Sequence, residues 1–417
     1  MFREPVRMAT AVVLMIMAQL CAAREARAQS AVGAGPLTSA LSDTEPTTGV
    51  LSAGPVRFAP GLTIRELGYD TNVFDESNEE GPKEDWVVSA MPDVSAFARL
   101  RFVRISAYGG SELTYYKTYE SERSAGYSGR GRFDFLLSRV RPFVGVGRTR
   151  TRTRPNGEID VRADRVEEEL SGGVAFDLSS TSLVYGSWAQ SKNEFVNAFQ
   201  DGIDLGQSLT RSRDNYQAGL KTDLTPLLSL QLYGSYCDDR FAFEPLRNTK
   251  TTAGLATFRF AADAVVTGSA TIGFQEMKPI DPLTEPHRGL VGSAAITYPL
   301  LEFGRFTVAV QRGTEYSFDA SEAYYLENSA MLSYTHRIRG AVDAQARVGR
   351  SVFDYSARLN NPERTDTLDT AAGSLGYNLR NRTRIAVNYE IARRRSPELA
   401  GRNYDRRRIY LSWLFAF

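Results

Sequence analysis

The chain has 417 residues, 50 Lys plus Arg against 49 Asp plus Glu, and 2 His, which excludes a generally basic nucleic-acid binder and leaves few ligands for a metal site. Its 20 Tyr, 22 Phe and 34 Gly under a negative mean hydropathy read as an average over two unlike faces. Beyond the N-terminal segment no apolar run nears 18 residues, so no transmembrane helix is expected there.

Residues 1–28 carry Arg3 and Arg7, an apolar run from Met8 to Ala23 and then Ala26-Arg27-Ala28, a small-x-small site. That is the form of a secretory signal peptide, which implies export through the Sec pathway. Leu20 stands where a lipobox before Cys21 would need a small residue, and with the signal removed Cys237 is left without a disulfide partner. Residues 29–56 are rich in Gly, Ala, Ser, Thr and Pro and hold too few large apolar side chains for a core, so they read as a flexible periplasmic leader.

From residue 57 to 417 a period of two prevails. Strands are expected near 58–69, 86–99, 103–117, 126–138, 141–153, 165–178, 182–194, 212–223, 228–238, 249–260, 265–277, 289–299, 305–315, 324–336, 341–353, 368–379, 383–393 and 404–417. The connections alternate between short ones, such as Ser179-Ser180-Thr181, and long polar ones, such as Asn197–Arg211 and Pro279–Arg288. The expected fold is therefore all-β: a transmembrane antiparallel up-and-down β-barrel of about 18 strands, with short periplasmic turns and long extracellular loops.

Alternation assigns faces. Val342, Ala344, Ala346 and Val348 oppose Asp343, Gln345 and Arg347, while Ile385, Val387, Tyr389 and Ile391 oppose Asn388 and Glu390. An Arg at the bilayer midplane costs roughly 2–4 kcal/mol, so Asp343, Gln345, Arg347, Asn388 and Glu390 are expected to line a lumen.

The row Arg148, Arg150, Arg152 and Arg154 projects from one side of a strand, with Glu167, Glu168 and Glu169 placed to pair with it across the next loop. Arg148, Arg150, Arg152, Glu167 and Glu169 are accordingly candidate selectivity residues, as charged rings are in pores. Val144 and Val146 share the parity of the arginines, so a solvated outer extension facing lipopolysaccharide stays open as the alternative. Arg393–Arg395 and Arg406–Arg408 are expected to mark the outer rim, against anionic lipopolysaccharide. His287 falls in a loop near Asp281 and Glu285 and His336 at a turn, without a nucleophile motif around either, so no enzyme and no cofactor is expected.

The chain ends on Ile409, Leu411, Trp413, Phe415 and Phe417, an every-other-residue apolar row. It resembles the C-terminal β-signal of Gram-negative outer-membrane proteins, which the barrel assembly machinery reads. Gly68, Tyr69, Asp70, Asn72, Val73 and Phe74 in GYDTNVF, where the first strand enters the first long loop, resemble a motif of the putative beta-barrel porin type 2 family, with Thr71 where a second Asp is common. The likeness of layout covers nearly the whole mature chain. It implies a barrel of the Gram-negative outer membrane and an association with surface polysaccharide, with periplasmic export components as partners. The expected function is thus a channel that conducts or helps export hydrophilic solute, surface polysaccharide favoured. The alternatives are a general diffusion porin for small solutes and a non-conducting structural or adhesive barrel.

Overall fold

The computed structural model describes residues 51–300, 302–356, 364–379 and 383–416. The expected signal peptide, most of the expected leader and Phe417 lie outside the described residues.

Eighteen long strands follow one another in the chain: β1 (Val56–Asp70), β2 (Asp85–Leu100), β3 (Val103–Tyr116), β4 (Ser124–Phe135), β5 (Val140–Thr153), β6 (Ala163–Asp177), β7 (Ser182–Val196), β8 (Arg211–Thr225), β9 (Leu228–Phe241), β10 (Thr249–Phe260), β11 (Thr267–Pro279), β12 (His287–Leu300), β13 (Gly304–Tyr316), β14 (Tyr324–Arg339), β15 (Val342–Tyr355), β16 (Arg364–Leu379), β17 (Thr383–Arg395) and β18 (Tyr404–Ala416). Each pairs antiparallel with its chain neighbour, and β1 pairs with β18 from Gly61↔Ala416 to Asp70↔Arg408. The sheet is a closed ring, which removes the edges that an open sheet would leave unpaired. A short strand, Leu51–Ala53, folds back on Val56–Phe58, so the last residues of the expected leader join the sheet.

Both ends of the ring of strands share one rim with the short connections, and the long connections occupy the other. The outer surface carries Val88, Leu113, Phe133, Val146, Leu170, Leu232, Phe274, Val310, Leu332, Leu375, Val387 and Leu411, all well exposed. Exposed apolar side chains at every second position around a closed ring form the lipid-facing band of a membrane barrel. On the opposite parity of these strands Ser171, Gln231, Thr257, Gln275, Ser333, Asp343 and Glu390 are buried inside.

Candidate functional site

The inner wall has two kinds of surface. On the arc from β15 through β18 to β1 it is a chain of ion pairs. Near the short-loop rim Arg384 Nη2 donates to Asp343 Oδ1 at 2.6 Å, and Asn378 Nδ2 donates to the same carboxylate at 2.5 Å. Above it, Glu390 takes Arg408 Nη2 at 2.6 Å and stands 3.8 Å from Arg347 Nη2, while Arg408 also pairs with Glu66. Asn388 Nδ2 donates to Ser412 Oγ at 2.9 Å, and Gln345 Nε2 to Ser333 Oγ at 3.2 Å. Asp343, Gln345, Arg347, Asn388 and Glu390 thus all stand on the inner face. Farther round the ring Asp134 accepts from Arg132 Nε at 2.8 Å and Arg104 Nε at 3.3 Å.

At mid-height from β9 to β13 the inner face is hydroxylic and apolar instead, with Leu255 and Val291 buried together, while nearer the long-loop rim Asp239 of β9 pairs with Arg213 at 2.7 Å. Thr257 and Thr271 meet at 2.8 Å, Thr297 and Thr307 at 2.9 Å, and Gln275 Nε2 donates to Thr314 Oγ1 at 2.8 Å. Such cross-strand pairs of β-branched hydroxyls satisfy one another and leave the wall uncharged at mid-height. Tyr185 OH accepts from Gln231 Nε2 at 2.5 Å, packed beside Phe143, Ala175 and Leu183.

The arginine row does not face the lumen. Val146 is 56% exposed on the lipid side, and Arg148 and Arg150 follow it at the same parity. Their partners lie on that outer face too: Arg148 is 3.5 Å from Glu168 and Arg150 3.7 Å from Asp164. Arg152 turns over the rim to Glu122 at 3.3 Å. A strand of period two cannot put valines in lipid and arginines of the same parity in the bore, so the row extends the outer surface beyond the membrane. Glu167 and Glu169 have the opposite parity and point inward, where Arg130, Gly147 and Glu169 lie in register across β4, β5 and β6.

The two C-terminal arginine clusters also divide by parity. Arg393 and Arg395 reach Asp405 on the outside at 2.7 and 3.1 Å. Arg394, Arg406 and Arg408 turn inward and are buried or nearly so, so half of the basic patch expected on the outer rim is internal. Ile409, Leu411 and Trp413 face outward and are exposed. His336 lies within β14 beside Tyr334, not at a turn.

Over the inner wall the long connections meet. The GYDTNVF stretch makes a tight turn: Asp70 Oδ1 accepts from Asn72 N at 3.0 Å and Asn72 Oδ1 from Glu76 N at 2.9 Å. The next residue, Asp75, at a φ of 52 that Asp tolerates better than most residues, takes Arg154 at 2.7 Å and Arg406 at 3.2 Å. Burial pushes the Asp75 carboxyl up, against the pull of those two guanidinium groups. Residues 154–162, between β5 and β6, run across the bore. Phe353 of β15, on the opposite side of the ring, packs so closely on Gly157 that an added Cβ would lie 2.5 Å from the ring. Only glycine fits such an approach.

Beside it Glu158 is enclosed, its Oε1 accepting from Ser317 Oγ at 2.6 Å and its Oε2 from Phe318 N at 3.1 Å. Burial pushes this carboxyl up to about 7, although Ser317, Arg402, Arg364 and the Phe318 N–H all favour its charged form. Arg394, 0% exposed, donates to Gly157 O at 2.9 Å, Asp160 Oδ1 at 3.0 Å and Asp366 Oδ2 at 2.6 Å. An apolar cluster of Ile159, Ala163, Phe195, Ala198, Leu205, Leu209 and Phe318 seals the same junction. Reading the sequence missed this junction because its partners come from connections far apart in the chain.

A closed ring of eighteen strands with a lipid-facing band outside and a polar wall inside is an outer-membrane β-barrel of porin type. The family model described as putative beta-barrel porin 2 matches residues 51–417, and the chain belongs to that family. Among solved structures it is similar to Pseudomonas aeruginosa OccK2 (OpdF), at 14% identity and a TM-score of 0.51, covering 86% of this chain and 98% of that one. The same protein in complex with glucuronate matches at 13% identity and a TM-score of 0.50, with the same coverage. A BenF-like porin from Pseudomonas fluorescens Pf-5 matches at 12% identity and a TM-score of 0.49, over 86% of this chain and 99% of that one. No curated protein matches the chain in sequence.

Proposed function

We propose that this barrel is a channel for small hydrophilic solutes, which pass between the ion-pair wall and the hydroxyl wall. The observation that carries this reading is segregation by parity: on β15 and β17 the mid-height charges point inward and their neighbours Val348, Ile385 and Val387 outward. A structural barrel has no need of a charged interior, since an inward ion pair stabilises less than apolar packing of the same volume. Asp343, Gln345, Arg347, Asn388, Glu390, Glu167 and Glu169 then line the solute path, and the C-terminal sequence with Ile409, Leu411, Trp413, Phe415 and Phe417 is the segment read by the assembly machinery. Surface polysaccharide draws no support from the geometry, because a polymer would have to displace the segment crossing the bore. Small solutes are therefore the preferred cargo.

The test is conductance of the purified protein in planar bilayers, with uptake of neutral sugars of increasing size into liposomes. Ion conduction with a sharp size cut-off supports the proposal. A barrel that inserts, shows heat-modifiable mobility and stays silent in both assays contradicts it.

A further inference from the structure

Residues 154–162 leave the β5–β6 side of the ring and are held on the far side by polar groups from three elements. Ser317 and Phe318, from the β13–β14 connection, receive the Glu158 carboxylate at 2.6 and 3.1 Å. Arg394 of β17 grips the backbone of Gly157 and the side chain of Asp160, and Arg402 of the β17–β18 connection reaches Asp160 at 3.2 Å. Along its length Gln200 clasps it, accepting from Asp160 N at 2.7 Å and donating to Glu158 O at 3.3 Å, Ile159 packs into the apolar cluster, and Arg154 ties its near end to Asp75 and Val73.

We propose that this crossing is a latch that closes the outer mouth, engaged when the Glu158 carboxyl is protonated and released when it carries charge. The inference rests on the channel reading above.

The groups facing Glu158 come from every side. Arg402, Arg364 of β16 and Arg247 of the β9–β10 connection favour the carboxylate. Tyr325 of β14 and Tyr355 of β15 are neutral neighbours whose ionisation Glu158 opposes. Asp366 and Glu322 already occupy Arg364, and Asp160 and Asp366 occupy Arg394. Much of the positive charge is therefore committed elsewhere, and burial prevails over what is left. The contacts accommodate a neutral carboxyl: a proton on Oε1 is donated to Ser317 Oγ while Oε2 still accepts the Phe318 N–H.

The sign follows from linkage. Enclosed, Glu158 is pushed by burial up to about 7 from the ordinary 4.5, which is close to what it would have in an open, watery mouth. The closed state thus binds the proton more tightly. Its advantage is complete below the open-state value and is lost as pH rises through about 7. From pH 5 to pH 8 the ratio of closed to open mouths falls on the order of fifty-fold.

The experiment uses the full barrel in planar bilayers, with pH varied on the long-loop side and folding of each variant checked by heat-modifiable mobility. Wild type is expected to open as pH rises from 5 to 8. Glu158→Gln, a neutral mimic, stays closed at both, while Arg394→Met and a variant with residues 155–161 replaced by a short Gly-Ser linker are open at both. If wild type conducts equally at both pH values and as well as the linker variant, the latch is overturned while the channel reading stands. A pH response that survives in Glu158→Gln overturns the latch as well. A linker variant that insulates at every pH overturns the channel reading itself.

Discussion

The ion-pair arc from β15 to β1 and the hydroxyl arc from β9 to β13 solve the same problem differently. Both must present polar atoms to the bore while their alternate residues meet lipid. The hydroxyl arc uses local pairs, Thr257 with Thr271 and Thr297 with Thr307, each satisfied by the next strand. The ion-pair arc joins residues on adjacent and next-but-one strands, so that Glu390 answers to Arg408 and Arg347 at once and Asp343 to Arg384 and Asn378. Local neutral pairs can be lost one at a time at little cost. A shared carboxylate cannot, because its removal takes a partner from two groups at once.

Glu390→Ala should therefore be the most damaging single change on the inner wall. It leaves Arg408 and Arg347 without their common partner, at a cost of about 3 kcal/mol, the lower end for breaking a buried pair because water reaches this face. The urea concentration at which the heat-modifiable form disappears measures it, and a loss no larger than that of a surface substitution would break the comparison.

Next in size is the contrast across one strand of the charged arc. Val387→Arg should cost roughly 2–4 kcal/mol at mid-bilayer depth, while Asn388→Arg, one residue on and facing inward, should insert normally. Folded yield in lipid vesicles reads both. Equal sensitivity of the two positions would show that the faces of β17 are wrongly assigned.

Smallest is the hydroxyl arc. Thr257→Val together with Thr271→Val removes both partners of a pair and leaves only the Tyr233 hydroxyl, which also bonds Thr257, to find another partner, so stability should change by about 1 kcal/mol. A loss as large as that of Glu390→Ala would mean that the two arcs do not differ in kind.

The strands themselves were legible in the sequence. Runs such as Val342–Val348 and Arg384–Ile391 alternate without exception in the residues that matter, and the alternation gave ring, faces and both kinds of connection. The orientation of Arg148 and Arg150 was legible in principle, since Val144 and Val146 share their parity. Attraction between a row of arginines and a run of three glutamates obscured it, and only Glu168 of that run pairs outward. The runs Arg393–Arg395 and Arg406–Arg408 misled for a related reason: adjacent residues of a strand point to opposite faces, so a basic run is never one patch. The junction over the bore had no signal at all. Arg394 and Asp160 are separated by 234 residues, and Glu158 sits in a stretch that reads only as a polar loop.

Which charged side chains the solute meets decides selectivity, and the reversal potential under a salt gradient reads that directly. Glu167→Gln with Glu169→Gln removes two inward carboxylates and should shift the potential toward anion preference, more at low salt where screening is weak. Arg148→Gln with Arg150→Gln alters only the outer surface and should leave it unchanged. A shift from the outward pair and none from the inward pair would contradict the assignment of the lumen.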